Sequence, residues 1–261
     1  MGRQFTAGQL RRQTIVRFAV GAWLDEGWPE VIGYICNFSG DRHLDIADAS
    51  SLDRRALARQ PQRLRSRERF DLVLDAAREV LKRDGLSGFS IPVLAQRLGF
   101  TRASIYKFFP TPYAVLNEMV RRALERLDAL LTARAGRLVH RPWPEVLRAV
   151  TFEAVEFYND DPVSRLLILG GPVTDDSYRV QELAIQKLGG LARGLLEARG
   201  IMLPRSRPDA AMLLVDIGMT CFRVSQFLHG EITKEYREEA VLAMQAYLVR
   251  HVGPVRSRRT R

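Results

Sequence analysis

The sequence predicts an all-α chain with a small N-terminal three-helix unit joined to a larger helical part. Three observations predict it. No segment alternates apolar and polar residues over a useful length, as a half-buried strand would. From Phe70 onward, apolar residues recur at helical spacing between N-cap residues, glycines and prolines. Residues 69–110, RFDLVLDAAREVLKRDGLSGFSIPVLAQRLGFTRASIYKFFP, read as three short helices, the last two separated by a glycine turn.

In chain order, Leu10, Ile15, Ala19 and Ala22 approximate one face, so a helix is expected from about Ala7 to Asp25. The stretch after it, GWPEVIGYICNFSGDRHLDIADASS, has turn residues and no sustained period. Three readings of the first sixty residues stay open: a real extra arm, a start codon placed too far upstream, or a leader without fixed structure.

The next helix puts Phe70, Leu74, Ala77 and Leu81 on one face, with Val73 and Val80 beside them, and Gly85 and Gly88 end it. Ser90 is placed to cap a second helix through the N–H of Val93, with Pro92 in its first turn and Leu94, Ala95 and Leu98 as its buried stripe. Gly99 can take the left-handed turn that stops it. Thr101 caps a third helix, in which Ile105 and Phe109 point inward and Arg102, Ser104, Tyr106 and Lys107 stay outside. This is the helix-turn-helix arrangement.

The remaining chain reads as six more helices. They are expected at about Thr111–Arg134, Pro142–Asn159, from Asp161-Pro162 to Gly170, from Thr174-Asp175-Asp176 to about Arg199, from Pro208 in a first turn to His229, and Thr233–His251. The stretch from Ala210 to Phe227 is apolar over much of its circumference, with Met212, Val215, Met219 and Phe222 on one stripe. Such a helix is either central to a core or covered by a partner.

Composition narrows the chemistry. Net charge is +10, which favours an anionic partner, nucleic acid or membrane surface. Residues 61–110 hold ten Arg or Lys against five acids, and residues 250–261 hold five Arg against none. The basic stretch Arg54 to Arg69 reads either as a DNA-contacting arm or as a solvated linker. Cys36 and Cys221 are far apart and imply no disulfide framework. The four histidines have no carboxylate or cysteine at ligand spacing, so no metal, cofactor or catalytic site is expected. Asp175-Asp176 reads as acids at a helix N-terminus, and Gly170-Gly171-Pro172 as a breaker. The apolar run Phe18–Leu24 is too short for a membrane span and no signal-peptide pattern follows it, so a cytoplasmic protein is expected.

The order S-I-P-V-L-A-Q-R-L-G-F-T-R-A-S-I-Y-K-F-F-P, followed by a long helix from near Thr111, resembles the DNA-binding domain of the tetracycline-repressor (TetR) family over roughly residues 68–120. Two positions depart from the family pattern. Val93 stands where an acidic residue usually completes a capping box, and Pro112 where many members carry a phosphate-touching lysine. The resemblance divides the chain into an N-terminal extension (1–65), the DNA-binding domain (66–115), a helical ligand-binding and dimerisation domain (116–252) and a basic tail (253–261).

It also implies a homodimeric repressor on a near-palindromic operator, released by a small effector. Ser90, Thr101, Arg102, Ala103, Ser104, Tyr106 and Lys107 would face DNA, Tyr106 and Lys107 at phosphates. The last two helices would form the dimer surface, with Val215, Met219, Phe222, Met244 and Tyr247 as its candidates. Phe152, Phe157, Leu166, Leu169 and Met212 are candidate walls of a pocket for an apolar effector. The alternative is a basic all-α module for protein or membrane surfaces without sequence-specific DNA binding. A DNA regulator has no need of catalytic residues, which agrees with their absence from the sequence.

Overall fold

Arg54–Ala56 form a 3-10 turn and nine α-helices follow, with no strand among the described residues. The computed structural model describes residues 54–138, 140–171, 175–204 and 208–252. The expected helix at Ala7–Asp25, Thr174 and the basic tail lie outside them.

Helix α1 spans Leu64–Asp84 and starts within the basic stretch. The N–H groups of Ser66 and Arg67 close on the Arg63 carbonyl, and Arg67 Nε donates to the Pro61 carbonyl at 3.3 Å. Leu and Arg are good helix formers, so the helix runs back toward Pro61. Residues Leu64 to Arg69 of the stretch read as arm or linker are therefore helix. Gly85, at φ 66°, ends α1.

Helix α2 (Ile91–Leu98) is capped by Ser90, whose Oγ accepts from Val93 N–H at 3.4 Å. Gly99 stops it in the left-handed conformation, φ 64° and ψ 26°, where a side chain would be strained. Helix α3 (Arg102–Tyr106) begins under the Thr101 cap, which accepts from Ser104 N–H at 3.3 Å. Phe70 holds the three together: its ring stacks on Phe109 at 4.5 Å and meets Phe108 edge-on at 6.0 Å. Ile91, Leu94, Ile105 and Phe109 are fully buried around it.

The body comprises α4 (Pro112–Gly136), α5 (Trp143–Asp160), α6 (Pro162–Leu169), α7 (Asp175–Glu197), α8 (Ala210–His229) and α9 (Lys234–Val252). Thr111 caps α4 by accepting from Ala114 N–H, and Asp161 caps α6 by accepting from Ser164 N–H, both at 3.1 Å. Asp209 caps α8 by accepting from the N–H groups of Ala211 and Met212. Pro208 therefore sits one residue before the cap, not in the first turn, because the aspartate satisfies the free amides that a first-turn proline would only have tolerated.

Two ionic joints tie the three-helix head to the body. Arg78 of α1 meets Asp161 at 2.6 Å, and Arg126 of α4 meets the same carboxylate at 3.0 Å. Buried Glu118 of α4 accepts from Arg121 and Arg122, and Arg122 reaches Asp71 of α1 at 2.8 Å. Burial works to raise the Glu118 pKa, but Arg121, Arg122 and Gln60 outweigh it and hold it below the ordinary value.

Candidate nucleic-acid interface and ligand cavity

The turn between α2 and α3 sets which side chains leave the head. Ile105 points into the core, so its neighbours on the five-residue helix must point away. Thr101, Arg102, Ala103, Tyr106 and Lys107 are exposed, Tyr106 by 42 %. Arg102, Tyr106 and Lys107 accordingly present a guanidinium, a phenol and an ammonium from one short, rigid element. Ser104 is half-buried and its hydroxyl donates to the Thr101 carbonyl at 2.7 Å. Ser90 is half-buried and its hydroxyl is engaged as the α2 cap.

The body holds a partly open cavity of about 120 Å³ between α4, α5, α7, α8 and α9. Leu127, Trp143, Tyr158, Leu188, Phe222 and Met244 are among its walls. Two of the polar groups that reach it are engaged. Thr151 donates to the Leu147 carbonyl at 2.7 Å, and the Tyr158 hydroxyl lies 3.9 Å from Met219 Sδ. Burial pushes the Tyr158 phenol pKa up, so the phenol stays neutral. Arg199 is the one charged residue in the wall among the described residues; its terminal nitrogens donate to the carbonyls of Leu195 and Leu138, while its Nε is buried without a partner.

Residues 73–119 match the model of the bacterial regulatory proteins of the tetR family. The head is a tetR-family DNA-binding domain. No curated protein matches the chain. Among solved structures, a TetR-family transcriptional regulator from Streptomyces coelicolor is similar at 22 % identity, covering 72 % of this chain and 99 % of that one, with a TM-score of 0.53. The multidrug binding protein EbrR, solved with imidazole, is similar at 20 % identity over 80 % of this chain and 98 % of its own, with a TM-score of 0.54. SmeT, the repressor of a multidrug efflux pump in Stenotrophomonas maltophilia, gives 18 % identity, 71 % and 91 % coverage, and a TM-score of 0.51. At these identities the likeness shows the fold. The chain has the all-α fold and helix-turn-helix head of a TetR-family transcriptional regulator.

The walls of the TetR-type body differ from those the sequence suggested. None of Phe152, Phe157, Leu166, Leu169 and Met212 lines the cavity. Phe152 lies between the guanidinium groups of Arg148 and Arg237, at 4.4 and 3.9 Å from its ring centre. Phe157 packs edge-on to Tyr158 and under Arg126, and Leu169 is ordinary core. Leu166 and Met212 are half-buried elsewhere. The reason is size: the void opens beside Ala154, Ala192 and Gly218, where little side chain is present to fill it.

The candidate dimer residues lie largely within the chain's own packing. Met219, Phe222 and Met244 are buried inside the chain, and all three, with Val215, line the cavity. Tyr247 is half-buried, edge-on to His251 at 5.2 Å. The apolar stripe read as either core or partner-covered is the inward face of α8, held by α7 and α9. The outward face carries Leu213, Val224, Phe227 and Leu228, and α9 adds Leu242 and Val249. Phe227 is 83 % exposed, far more than a core phenylalanine tolerates. By length and composition α8 could also cross a membrane, a test that a core helix passes equally. Among the described residues no His, Cys, Asp or Glu cluster could hold a metal ion.

Proposed function

We propose that the chain is a transcriptional repressor that binds a near-palindromic operator as a homodimer and is released by a small apolar effector. The observation that carries this reading is the five-residue α3. It is locked by Ile105 and Phe109 beneath and offers Arg102, Tyr106 and Lys107 above. Arg102 is the base-reading candidate, since a guanidinium can donate two hydrogen bonds to one guanine. Tyr106 and Lys107 are phosphate contacts that set register without reading sequence.

The effector reading rests on the cavity. Apart from Trp143, Thr151, Tyr158 and Arg199 its walls are apolar, so a ligand rich in polar groups would lose most of its hydration without replacement. An engineered apolar cavity of about 150 Å³ holds benzene, so a cavity of this order fits a small apolar body. The ligand acts as a switch by binding one arrangement of the heads more tightly than the other. EbrR and SmeT are named for multidrug binding and for control of a multidrug pump, which is compatible with an apolar effector here.

The test is binding of the full chain to the intergenic duplex beside its own gene, against random-sequence competitor. Arg102→Ala should lose the preference for that duplex, by about 1–3 kcal/mol, and keep its random-DNA binding. Lys107→Gln should weaken binding to both and make the salt dependence shallower by about one contact. Wild-type binding equal on both duplexes would reduce the chain to a basic helical module.

A further inference from the structure

We propose that the segment before α1 is a second nucleic-acid contact, a cationic strap in which Arg54, Arg59 and Arg63 meet phosphates beside the groove that α3 enters. The inference rests on the DNA-binding reading of the head and adds to it a site outside the helix-turn-helix.

Residues 54–69 contain seven arginines and one acid, Glu68. A solvated linker of that composition would repel itself and stay away from the fold. Here it is pinned at three places. Arg59 N–H donates to the Phe108 carbonyl at 2.7 Å, and the Thr111 hydroxyl donates to the Arg55 carbonyl at 3.0 Å. The side-chain amide of buried Asn117 donates to the Ala56 carbonyl at 3.0 Å, and Ala56 is itself buried. All three strap partners are backbone atoms, so the side chains of Arg54, Arg59 and Arg63 are not spent on holding the strap.

Arg54, Arg59 and Arg63 are exposed and make no ion pair among the described residues. The arginines of α1 and α4 that face the body behave differently: Arg78, Arg121, Arg122 and Arg126 each have a carboxylate. Position supplies the second argument. Phe108 directly follows Lys107, so the strap backbone lies against the end of the recognition helix. At the other end Arg69 sits over the ring of Phe100, the residue before the Thr101 cap. Cationic side chains thus flank α3 at both ends. A duplex carries one negative charge per about 1.7 Å of axis, so cations fixed on this rim fall among phosphates when α3 enters the groove.

The experiment is fluorescence anisotropy of the full chain on a random-sequence duplex between about 50 and about 200 mM salt. Each phosphate contact contributes about 0.9 to the slope of log affinity against log salt. The triple variant R54Q/R59Q/R63Q should therefore show a slope shallower by about 2.7, so that it loses about 40-fold less affinity than wild type across that range. The variant keeps the backbone tethers, and an unchanged thermal melt verifies its fold. The charge-matched control R137Q/R141Q/R250Q removes three exposed arginines from the body and should leave the slope unchanged. If the strap variant behaved like that control, the strap proposal would be overturned and the head reading would stand. If wild type bound no DNA in a salt-dependent way, both would fall.

Discussion

Asp161 shows how one carboxylate can join three helices. Its oxygens accept from Ser164 N–H and Oγ, from Arg78 of α1 and from Arg126 of α4, while the residue caps α6. Burial alone would raise its pKa, but the Ser164 hydroxyl and N–H and the Arg78 guanidinium outweigh that and hold it below the ordinary value. A carboxylate depressed in the folded state stabilises the fold fully above its unfolded value, about 3.9. That contribution is lost as pH falls through the folded value, and Glu118 acts in the same direction. Asp161→Asn keeps a capping oxygen and loses the charge, whereas Asp161→Ala loses both. Because Arg78 and Arg126 are 33 % and 50 % exposed, the ion pairs are discounted for solvent. Asp161→Asn should cost about 1 kcal/mol and Asp161→Ala about 2 kcal/mol at neutral pH. Urea melts at pH 7 and pH 3 measure this: both variants should lose less stability on acidification than wild type, and equal losses would deny the joint its charge.

At the level of elements, the head was legible because each of its signals is a property of one residue type at one place. Ser90, Gly99 and Thr101 act through their own backbone or hydroxyl, and Ile105 and Phe109 follow from helical spacing. The cavity was not legible, because a void is defined by what several helices fail to place there. The stripe Leu147, Thr151, Ala154 and Tyr158 reads as plain core until α8 brings Gly218 opposite, where an added Cβ would lie 2.9 Å from Met244 Sδ. Basic composition likewise could not separate a tethered strap from a linker, since the tethers are backbone bonds to Phe108, Thr111 and Asn117. Filling the void tests its role. Ala154→Leu should leave thermal stability unchanged or raised and operator binding intact, but abolish stabilisation by benzene. Wild type should gain about 2.7 kcal/mol at a hundredfold excess over the dissociation constant. A benzene shift that survived in Ala154→Leu would place the ligand elsewhere.

For the whole molecule, on the proposed reading, the outward faces of α8 and α9 would decide whether one head or two meets DNA. A single helix-turn-helix reads one half-site, and a two-fold dimer places two about 34–36 Å or a multiple apart. Leu213, Val224 and Phe227 with Leu242 and Val249 form exposed apolar surface on two adjacent helices, a self-complementary patch of the kind a two-fold axis buries. Met219 and Phe222 lie on the opposite side of α8, within the core. The two faces therefore make opposite predictions. Phe227→Glu with Leu242→Glu sets like charges across the axis, and light scattering should report a monomer whose helical content is unchanged. Its operator affinity should fall by about 100-fold or more, as two linked contacts become one. Met219→Ala should remain dimeric while losing about 2–5 kcal/mol of stability, because it deepens a cavity and leaves the outer face intact. A double glutamate variant that stayed dimeric would move the interface off α8 and α9.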